Sequence, residues 1–407
     1  MLRKKITIIG INYFPEDTAI GLYTTQLAQH LVQNNFDVDV ITGFPYYPAW
    51  RISEAYKSKS RFYQETINGV NIYRYKQYVP KKPSFLKRII HLIDFSVGTF
   101  FNIFKVKNTD LVLCVVPFIG SVFIGKILAK LRGAKLWVHV QDFEFDAATD
   151  SNLVGNKNII FRTLFWIERK LLGSANFVST ISLSMIKKLE NKVPNIDNKL
   201  LSNWVDANFI QPNNYTTHKY LNSSKFKILY SGNIGEKQDW NLFIKFAKEL
   251  EQIENIEIVV VGNGSKRIWL EESLLDLENI RFYSPVPYNE LSNLLCSADL
   301  HVLFQKVDVI DTVMPSKILA MMSSSKTSLI TGNMQSEVSS IIKKSKSGMY
   351  FDSQDCNPLV DFVLKLKSNK ELQKEFGKSA RAYVIENYSK SQILEEFKLE
   401  ALKLIES

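Results

Sequence analysis

The sequence predicts an α/β protein with two Rossmann-like, doubly wound domains that face an interdomain cleft. Three observations support this fold class. Short runs rich in β-branched residues alternate with amphipathic helical patterns along almost the whole chain, which is typical of parallel sheets made of βαβ units. The 407 residues exceed what one hydrophobic core usually supports. The apolar share of 45% and the charged share of 23% are those of an ordinary globular protein.

The strands fall into two series separated by a polar segment. The first series is predicted at Ile6–Ile11, Asp37–Thr42, Val70–Arg74, Asp110–Val116, Lys135–Val140 and Asn176–Ile181. The second series is predicted at Phe226–Ser231, Ile256–Val261, Ile280–Tyr283, Leu300–Phe304 and Thr327–Thr331. The segment Gln211–Ser224, rich in Asn, Ser and Thr, marks the boundary. The predicted domains are residues 1–210, an acceptor-binding domain, and 211–385, a nucleotide-sugar-binding domain, with a helix over 386–407 that could pack back on the first.

Charge and cysteine content indicate the compartment. Three separated cysteines, Cys114, Cys296 and Cys356, fit neither a disulfide framework nor a zinc site, so a reducing cytoplasm is expected. The basic start of the chain lacks the apolar length and cleavage site of a signal peptide. No stretch reaches the roughly 20 apolar residues that span a bilayer. The formal net charge of +10 favours an anionic partner without choosing among nucleic acid, lipid headgroups and phosphorylated small molecules.

A glycine-containing loop follows the first strand of the second series. The run Tyr230–Lys237 contains Gly232, Asn233 and Gly235 and precedes a helix expected near Gln238. Glycines let the backbone approach a ligand, free amides at a helix start attract an anion, and Lys237 adds a full charge. The loop therefore predicts a diphosphate site, and the alternative is an ordinary turn with a surface lysine.

Two further loops of the second series favour the same ligand. Asp311–Lys317 follows a predicted strand, and Pro315 is expected to open a helix whose amides at Ser316 and Lys317 could hold phosphate oxygens. The alternative for this segment is a simple helix cap. Val261–Gly264 carries Gly262 and Gly264, half of a dinucleotide fingerprint, which suits either a nucleotide or a tight turn.

In the first series, polar residues gather after two strands. The loop from Gly10 to Gly21 is long for its class, and long loops are often functional. His139 ends a predicted strand and is followed by Asp142 and Glu144, so we expect these three at the cleft as positioning groups, although a structural histidine is the alternative. The acidic pair in Asp37–Asp39 lies at a strand start, so no metal is predicted.

A basic and aromatic stretch spans Tyr75–Val106. Its cations cluster just before an apolar run and are Lys81, Lys82, Lys87 and Arg88. Such an amphipathic segment can lie on an anionic bilayer, gaining on the order of 1 kcal/mol per basic residue near the surface. We therefore predict peripheral association with the inner face of a bacterial plasma membrane; the alternative is a helix buried against the sheet.

Taken together, the motifs resemble glycosyltransferase family 4, the retaining GT-B enzymes, in the branch that builds colanic acid and O-antigen units. The resemblance rests on Gly10–Glu16 with Ile20–Tyr23, Pro45–Pro48, Tyr78–Pro83, His139–Asp142, Val178–Ser182, Ser202–Asp206, Ser231–Lys237 and Pro315–Lys317. Where many members carry two glutamates, this sequence has Thr312 and Ala320, with Asp311 beside the first.

The resemblance implies a role for each matched loop. It implies that Lys237 and Pro315–Lys317 bind the donor diphosphate, that Gly262, Gly264 and Val286 lie near the nucleotide, and that Gly21 and His139 face the transferred sugar. It implies a metal-independent hexosyltransferase that passes a fucose- or N-acetylfucosamine-type sugar from a UDP or GDP donor to a polyprenyl-diphosphate-linked saccharide, in capsule, O-antigen or exopolysaccharide synthesis. The alternatives are a sugar-nucleotide epimerase on the same fold and a non-catalytic sugar-nucleotide-binding partner of another transferase.

Overall fold

The computed structural model of the chain describes residues 3–17, 19–82, 84–143, 159–308, 316–352 and 355–407. The chain divides into two compact units. The first unit comprises Met1–Asn203 and Ile393–Ser407, and the second comprises Trp204–Gln392. Each is built of a largely parallel sheet with helices, so the predicted pair of Rossmann-like domains is confirmed. The chain passes from one unit to the next at Asn203 and Trp204, seven residues before the expected boundary at 210.

The described elements of the first unit alternate strand and helix. They are β1 (Lys5–Ile9), α1 (Ala19–Gln33), β2 (Asp37–Gly43), α2 (Glu54–Lys57), β3 (Phe62–Ile67), β4 (Val70–Tyr75), α3 (Phe85–Asn102), β5 (Leu111–Val116), α4 (Gly120–Arg132), β6 (Lys135–Val140), α5 (Ile159–Leu172), β7 (Phe177–Thr180), α6 (Leu183–Lys192) and β8 (Asn198–Leu200). The strands lie in the order β3-β4-β2-β1-β5-β6-β7-β8. Strand β1 pairs in parallel with both β2 and β5, with Ile6 opposite Val38 on one side and Leu111 on the other. The order of the strands therefore reverses at β1.

The sequence analysis missed the edge strand β3, which pairs antiparallel with β4. The two strands are joined at Asn68 and Gly69, which both have positive φ, of 50° and 79°. An Asn-Gly pair between two β-rich runs is the strongest short-range signal of a hairpin. The signal for this strand was therefore present in the sequence, whereas the edge strand β8 is short and carries no comparable mark.

The second unit repeats the pattern with fewer strands. Its described elements are β9 (Phe226–Ser231), α7 (Trp240–Glu251), β10 (Ile256–Val261), α8 (Arg267–Glu272), β11 (Ile280–Tyr283), α9 (Leu291–Ser297), β12 (Leu300–Phe304), α10 (Ser316–Ser323), β13 (Thr327–Thr331), α11 (Glu337–Ser345), β14 (Gly348–Phe351), α12 (Asn357–Ser368) and α13 (Lys370–Tyr388). The strand order is β11-β10-β9-β12-β13-β14, and every pairing is parallel. The predicted strands β9 to β13 have the expected bounds.

The reversal of strand order in the second unit lies at β9. The chain runs from β9 through β10 to β11 and then returns to β12 on the opposite side of β9. In open α/β sheets a crevice forms beyond the carboxyl ends of the strands at such a reversal, and ligands bind there. The loops that follow β9 and β12 are therefore the first place to search for a site.

The last helix, α14 (Lys390–Glu406), belongs from Ile393 onward to the first unit. Its Phe397 ring stacks on the Trp137 ring of β6, with centroids 5.5 Å apart and planes inclined by 19°. Phe397 is only 1% exposed, so it completes the core around β6. Among the described residues no helix, α3 included, has the length and apolar character needed to cross a membrane.

Candidate functional site

The loop after β9 lies against the loop after β10, backbone to backbone. A Cβ atom on Gly262 would lie 1.9 Å from the carbonyl oxygen of Gly232, and one on Gly264 would lie 2.2 Å from that of Ile234. Contacts this short exclude any side chain. Gly232 itself has φ of +144°, a conformation that L residues with a side chain rarely adopt. The glycines identified in the sequence therefore have a structural reason: they bring two loops together at the strand reversal.

Most of the amides in this loop already have acceptors. The N–H of Gly232 donates to the carbonyl of Val261 at 2.9 Å, and that of Ile234 donates to the carbonyl of Asn263 at 2.8 Å. The N–H of Gly235 donates to Oε1 of Gln238 at 3.0 Å. These three amides hold the loop in shape and are not free to bind an anion.

The helix that follows begins later than expected. Helix α7 starts at Trp240, not near Gln238, and the carboxylate of Asp239 accepts the N–H of Leu242 at 3.0 Å. A carboxylate that caps a helix start occupies the place that a phosphate would take. The N–H of Leu242 is therefore already paired and not available to a phosphate, and nearby lysines supply full positive charges.

Lys317 supplies one such charge. It lies in the first turn of α10, and its side chain passes close to Gly232, where an added Cβ would be 3.3 Å from the lysine Cδ. The Lys317 ammonium donates to the Tyr230 hydroxyl at 3.3 Å and lies 4.9 Å from the centre of that ring. The Tyr230 hydroxyl in turn donates to the carbonyl of Asn233 at 2.6 Å. A cation from the Pro315–Lys317 motif and the glycine loop are thus brought together by the fold.

The surroundings of Lys317 change its titration. Burial lowers the pKa of Lys317 to about 8, because the charged form loses solvation. An anionic ligand beside the ammonium would restore the lost stabilisation and raise this pKa again. A bound diphosphate therefore stabilises the charged form of this lysine more than it would stabilise that of a fully solvated lysine.

Lys237 differs from Lys317 in being exposed. Its backbone carbonyl accepts the N–H of Lys306 at 3.2 Å, and the backbone N–H of Asp239 donates to the carbonyl of Phe304 at 3.1 Å. These bonds join the loop after β9 to the segment after β12, at the strand reversal. The neighbouring Glu236 pairs with Lys266 at 3.2 Å, and we find no carboxylate paired with the Lys237 ammonium among the described residues.

Of the remaining donor-site candidates, Val286 and Ser316 lie among the described residues, and Asp311 and Pro315 do not. Val286, after β11, is partly buried and packs against the core of the second unit. Ser316 begins helix α10 in the backbone, as the proline before it suggested. Asp311, Pro315 and Thr312 lie outside the described residues.

In the first unit, the loop after β1 is organised by Glu16, which the sequence analysis quoted only as part of a motif. One carboxylate oxygen accepts the N–H groups of Tyr46 and Tyr47, both at 2.8 Å, and the other accepts the Asn12 amide at 2.8 Å. Glu16 is 6% exposed. Burial raises its pKa, while these hydrogen bonds act in the opposite direction. Glu16 therefore ties the β1–α1 loop to the Tyr46–Tyr47 segment, a pairing that sequence spacing could not reveal.

Gly21 and a cavity adjoin this carboxylate. A Cβ atom on Gly21 would lie 2.9 Å from the Cβ of Glu16, so glycine is needed for the loop to close. Glu16 also lines an open cavity of about 360 Å³ together with the exposed residues Asp17, Arg51 and Glu54. The long loop predicted from the sequence thus borders a cavity within the first unit that carries several charged side chains.

His139 is not placed as expected. Its side chain is 2% exposed and packs edge-on against Phe397 of α14, with ring centroids 5.0 Å apart. The Gln141 amide lies 2.9 Å from Nε2, and Nδ1 lies 2.8 Å from the Ser179 hydroxyl. With both ring nitrogens partnered inside the core, the imidazole has no free face for a sugar.

Burial also fixes the protonation state of His139. It lowers the pKa of His139 to about 3, so the ring is neutral at physiological pH. His139 therefore packs in the core of the first unit as a structural residue and is not placed to contact the sugar, contrary to the prediction from the sequence. Asp142 follows at the end of β6 and is partly buried, and Glu144 lies outside the described residues.

The basic segment before α3 is solvent-exposed. Lys81, Lys82, Lys87 and Arg88 are all exposed, and the Arg88 guanidinium lies 5.2 Å from the centre of the Trp50 ring. Helix α3 buries one face and exposes another, which carries large apolar side chains: Leu86 (67% exposed), Ile90 (47%), Ile93 (56%), Val97 (57%) and Phe101 (55%). The alternative, a helix buried against the sheet, therefore describes one face of α3, and the other face is exposed.

Comparison with known families gives two matches that together span most of the chain. Residues 18–204 match the glycosyl transferase 4-like domain, and residues 216–383 match the glycosyl transferases group 1. The chain is 35% identical over 349 residues to a protein of Escherichia coli K12 named as the colanic acid biosynthesis glycosyl transferase WcaI, covering 82% of this chain and 84% of that one.

Solved structures share the architecture at low identity. Sucrose-phosphate synthase of Thermosynechococcus elongatus superposes with a TM-score of 0.74 at 14% identity, covering 99% of both chains. The Anabaena protein HepE, solved with UDP and glucose, gives a TM-score of 0.70 at 11% identity, covering 98% of this chain and all of that one. These similarities establish the fold but do not identify the substrate.

Proposed function

The chain belongs to the glycosyltransferases of group 1 with a glycosyl transferase 4-like domain, and from this we propose that it transfers a sugar from a nucleotide diphosphate to a lipid-linked saccharide. The observation that carries the donor half of this proposal is the arrangement of two lysines around the glycine loop of the second unit. Lys317 touches Gly232, and Lys237 lies in the same loop, at the reversal of strand order.

The charges suit a diphosphate better than they suit a neutral sugar. Two cations beside a loop in which the N–H groups of Gly232, Ile234 and Gly235 are already paired offer point charges, which bind the oxygens of an anion. Solved relatives of the same fold were obtained with UDP, UDP-glucose and ADP, which supports a nucleoside diphosphate as the ligand class. The proposed donor is a sugar linked to either UDP or GDP.

The proposed reaction is a retaining transfer. As the bond to the diphosphate breaks, negative charge grows on the leaving phosphate and positive charge grows on the anomeric carbon. Lys317 and Lys237 stabilise the departing phosphate, and groups aimed at developing charge act most strongly in this way. An oxygen of the leaving phosphate accepts the proton of the acceptor hydroxyl, so the sugar bond forms on the face from which the nucleotide leaves.

The sugar and the product are the least constrained parts of the proposal. The WcaI protein is named for colanic acid biosynthesis, which supports a polysaccharide as product. A fucose- or N-acetylfucosamine-type donor is the one that the sequence resemblance implies. We assign acceptor binding to the first unit, because its long β1–α1 loop borders a cavity lined by the carboxylates Glu16, Asp17 and Glu54.

Membrane association follows from the properties of α3. An acceptor with a polyprenyl chain is held in a bilayer, so the enzyme must reach the bilayer surface. The exposed apolar face of α3 and the four cations around its start provide both the hydrophobic and the electrostatic attraction that an anionic surface requires. We therefore propose that the protein binds the inner membrane surface peripherally through α3.

A donor screen followed by one substitution tests the proposal. Donor binding should raise the thermal stability, by about 2.7 kcal/mol at 100 times the dissociation constant. With the donor that gives the largest shift, Lys237→Ala should lower kcat/KM for sugar transfer about 100-fold.

The matched control is Lys245→Ala, an exposed lysine on α7 outside the loop, which should leave transfer unchanged. Near-normal transfer by Lys237→Ala would remove the phosphate role of this lysine. A donor that binds tightly to the wild-type protein but is not transferred to any lipid-linked saccharide would contradict the proposed reaction.

A further inference from the structure

A groove runs beside the exposed face of α3 in the first unit. Its walls are the side chains of Phe62 from β3 and of Val97 and Phe101 from α3, and its volume is about 410 Å³. Phe62 is 38% exposed, and the Phe62 and Phe101 rings meet edge to face with centroids 6.3 Å apart. The groove is continuous with the apolar stripe of α3, because Val97 and Phe101 belong to both.

The base of the groove is preformed. Gly98 lies against the ring of Tyr75, where a Cβ atom would be 2.1 Å from the ring, so the aromatic ring packs directly on the helix backbone. The Tyr75 hydroxyl donates to Asp94 at 3.0 Å and accepts from Arg61 at 2.6 Å. These bonds fix the ring at the base of the groove, where it also packs against the Phe62 ring with centroids 5.3 Å apart.

Two cations stand at the rim. Arg61 and Lys105 both line the groove, and the Lys105 ammonium lies 5.2 Å from the centre of the Phe62 ring. Partial burial lowers the pKa of Lys105, and among the described residues no carboxylate pairs with its ammonium. Arg61 lies 3.9 Å from Asp94, a distance that leaves guanidinium N–H groups for another anion. The groove thus combines an apolar interior with a positive rim.

We propose that this groove binds a single hydrocarbon chain of a phosphate-headed lipid from the bilayer. The chain lies between Phe62, Val97 and Phe101, and the phosphate contacts Arg61 and Lys105. A volume of this size is within the usual range for a small-molecule site. The inference rests on the proposed membrane contact of α3 and adds to it a discrete lipid site.

The charge pattern favours a lipid over other occupants. A lipid phosphate has one anionic head and one apolar chain, which matches one apolar trough with cations at its edge. A second copy of this chain would bring the same two cations against each other if the grooves met face to face, at a cost from like charges.

Farnesyl phosphate, a water-soluble probe, tests the site by calorimetric titration. Val97→Trp fills the groove and should weaken binding at least tenfold. The matched control is Ile93→Trp, one turn earlier on the same stripe and equally exposed, 56% against 57%, but outside the groove; it should bind as the wild type does. Both variants keep the apolar stripe, so both should still sediment with anionic vesicles.

The role of the phosphate is tested separately. Lys105→Gln should weaken farnesyl phosphate about tenfold, the loss expected for a hydrogen bond to a charged group, and should leave farnesol binding unchanged. Lys107→Gln, an exposed neighbour that does not line the groove, serves as its control.

Three results would overturn the proposal. They are wild-type affinity in Val97→Trp, equal affinity for farnesol and farnesyl phosphate, and a wild-type dimer in sedimentation equilibrium that Val97→Trp dissociates. The thermal shift with the nucleotide donor separates this proposal from the transferase function. A Val97→Trp variant that keeps the donor shift and loses the lipid supports the groove, whereas a wild type that binds the lipid without any donor response contradicts only the transferase function.

Discussion

The two units have the same kind of sheet but carry their positive charge in different places. In the second unit, lysines stand at the carboxyl edge of the sheet, where Lys317 and Lys237 border the glycine loop. In the first unit, the corresponding loop after β1 carries carboxylates instead, with Glu16 buried and Asp17 exposed. Four exposed cations of the first unit, Lys81, Lys82, Lys87 and Arg88, lie around the start of α3, beside an apolar helix face.

This difference shows how one architecture supports two kinds of binding. In the second unit, cations at the strand reversal can bind a small anion that enters the crevice. In the first unit, cations beside an apolar stripe can bind an extended anionic surface. Fold alone does not distinguish these cases, because both units are doubly wound. The placement of the lysines does.

The largest effect should come from removing the half-buried lysine of the second unit. We expect Lys317→Met to lower kcat/KM by on the order of 10² to 10³, the cost of losing one group that stabilises developing charge. The control is Lys326→Met. Lys326 is also half-buried, also has a pKa lowered by burial and also lies over a tyrosine, 5.6 Å from the Tyr215 ring centre, but away from the glycine loop. Equal losses in both variants would mean that Lys317 serves stability and not the donor.

The titration of Lys317 sharpens the same point. Its pKa of about 8 in the free protein means that the ammonium loses its proton as the pH rises through that value. Donor capture should therefore decline above about pH 8, and kcat/KM measured from pH 6 to pH 10 should show it. Lys317→Arg keeps the charge over this range, so its profile should stay flat if it retains activity; the same decline in that variant would assign the titration to another group.

Charge reversal around α3 tests the other half of the comparison. Changing Lys81, Lys82, Lys87 and Arg88 to Glu should lower the affinity for anionic vesicles more than 100-fold, given about 1 kcal/mol per basic residue. Co-sedimentation with the vesicles measures this affinity. Donor binding by the second unit should not change. The control reverses four exposed lysines of α12 and α13, namely Lys365, Lys370, Lys374 and Lys378. If the control is released from vesicles equally, net charge and not the position of α3 explains the binding.

A smaller effect is expected from His139, which the structure places in the core of the first unit. His139→Gln breaks the contacts with Ser179 and Phe397 and should lower the free energy of unfolding by about 1 to 3 kcal/mol. Transfer activity at a temperature where the variant is folded should stay within about threefold of wild type. A large loss of kcat without any loss of stability would restore a direct catalytic role for the histidine.

We also expect the stability of both units to depend on acid. Burial lowers the pKa values of His139 and of His301 in β12 to about 3, well below the ordinary value. The unfolded chain therefore binds protons that the folded chain does not, so stability is full above about pH 6.5 and falls as the pH drops towards 3. Each histidine contributes up to about 1.4 kcal/mol per pH unit in that window. Denaturant titrations of His139→Gln and His301→Gln between pH 6.5 and pH 5 should show shallower slopes; slopes equal to wild type would contradict neutral burial.

Much of the fold could be predicted because its signals are local. The buried parallel strands β9, β10 and β12 are near-continuous apolar runs, and the structure gives them the predicted bounds. The edge strands are different. Strand β3 alternates partly buried and exposed positions, and only the Asn68 and Gly69 turn marked it.

The site was less predictable because its geometry depends on distant residues. The motif around Gly232 could be found from the sequence, but the occupation of its amides by Val261 and Asn263 could not. The position of His139 at a strand end predicted a cleft residue, but Phe397 of the last helix packs against its ring. Contacts of this kind are set by packing between elements far apart in sequence, and no local pattern records them.

The return of α14 to the first unit bears on how the protein is made. The first 203 residues leave the ribosome long before Phe397 is synthesised, so Trp137 on β6 remains without its partner while the second unit is made. Apolar surface left uncovered during translation attracts chaperones and promotes misassembly. A deletion within the final fifteen residues, 393–407, should therefore cause aggregation of the unit that was synthesised first.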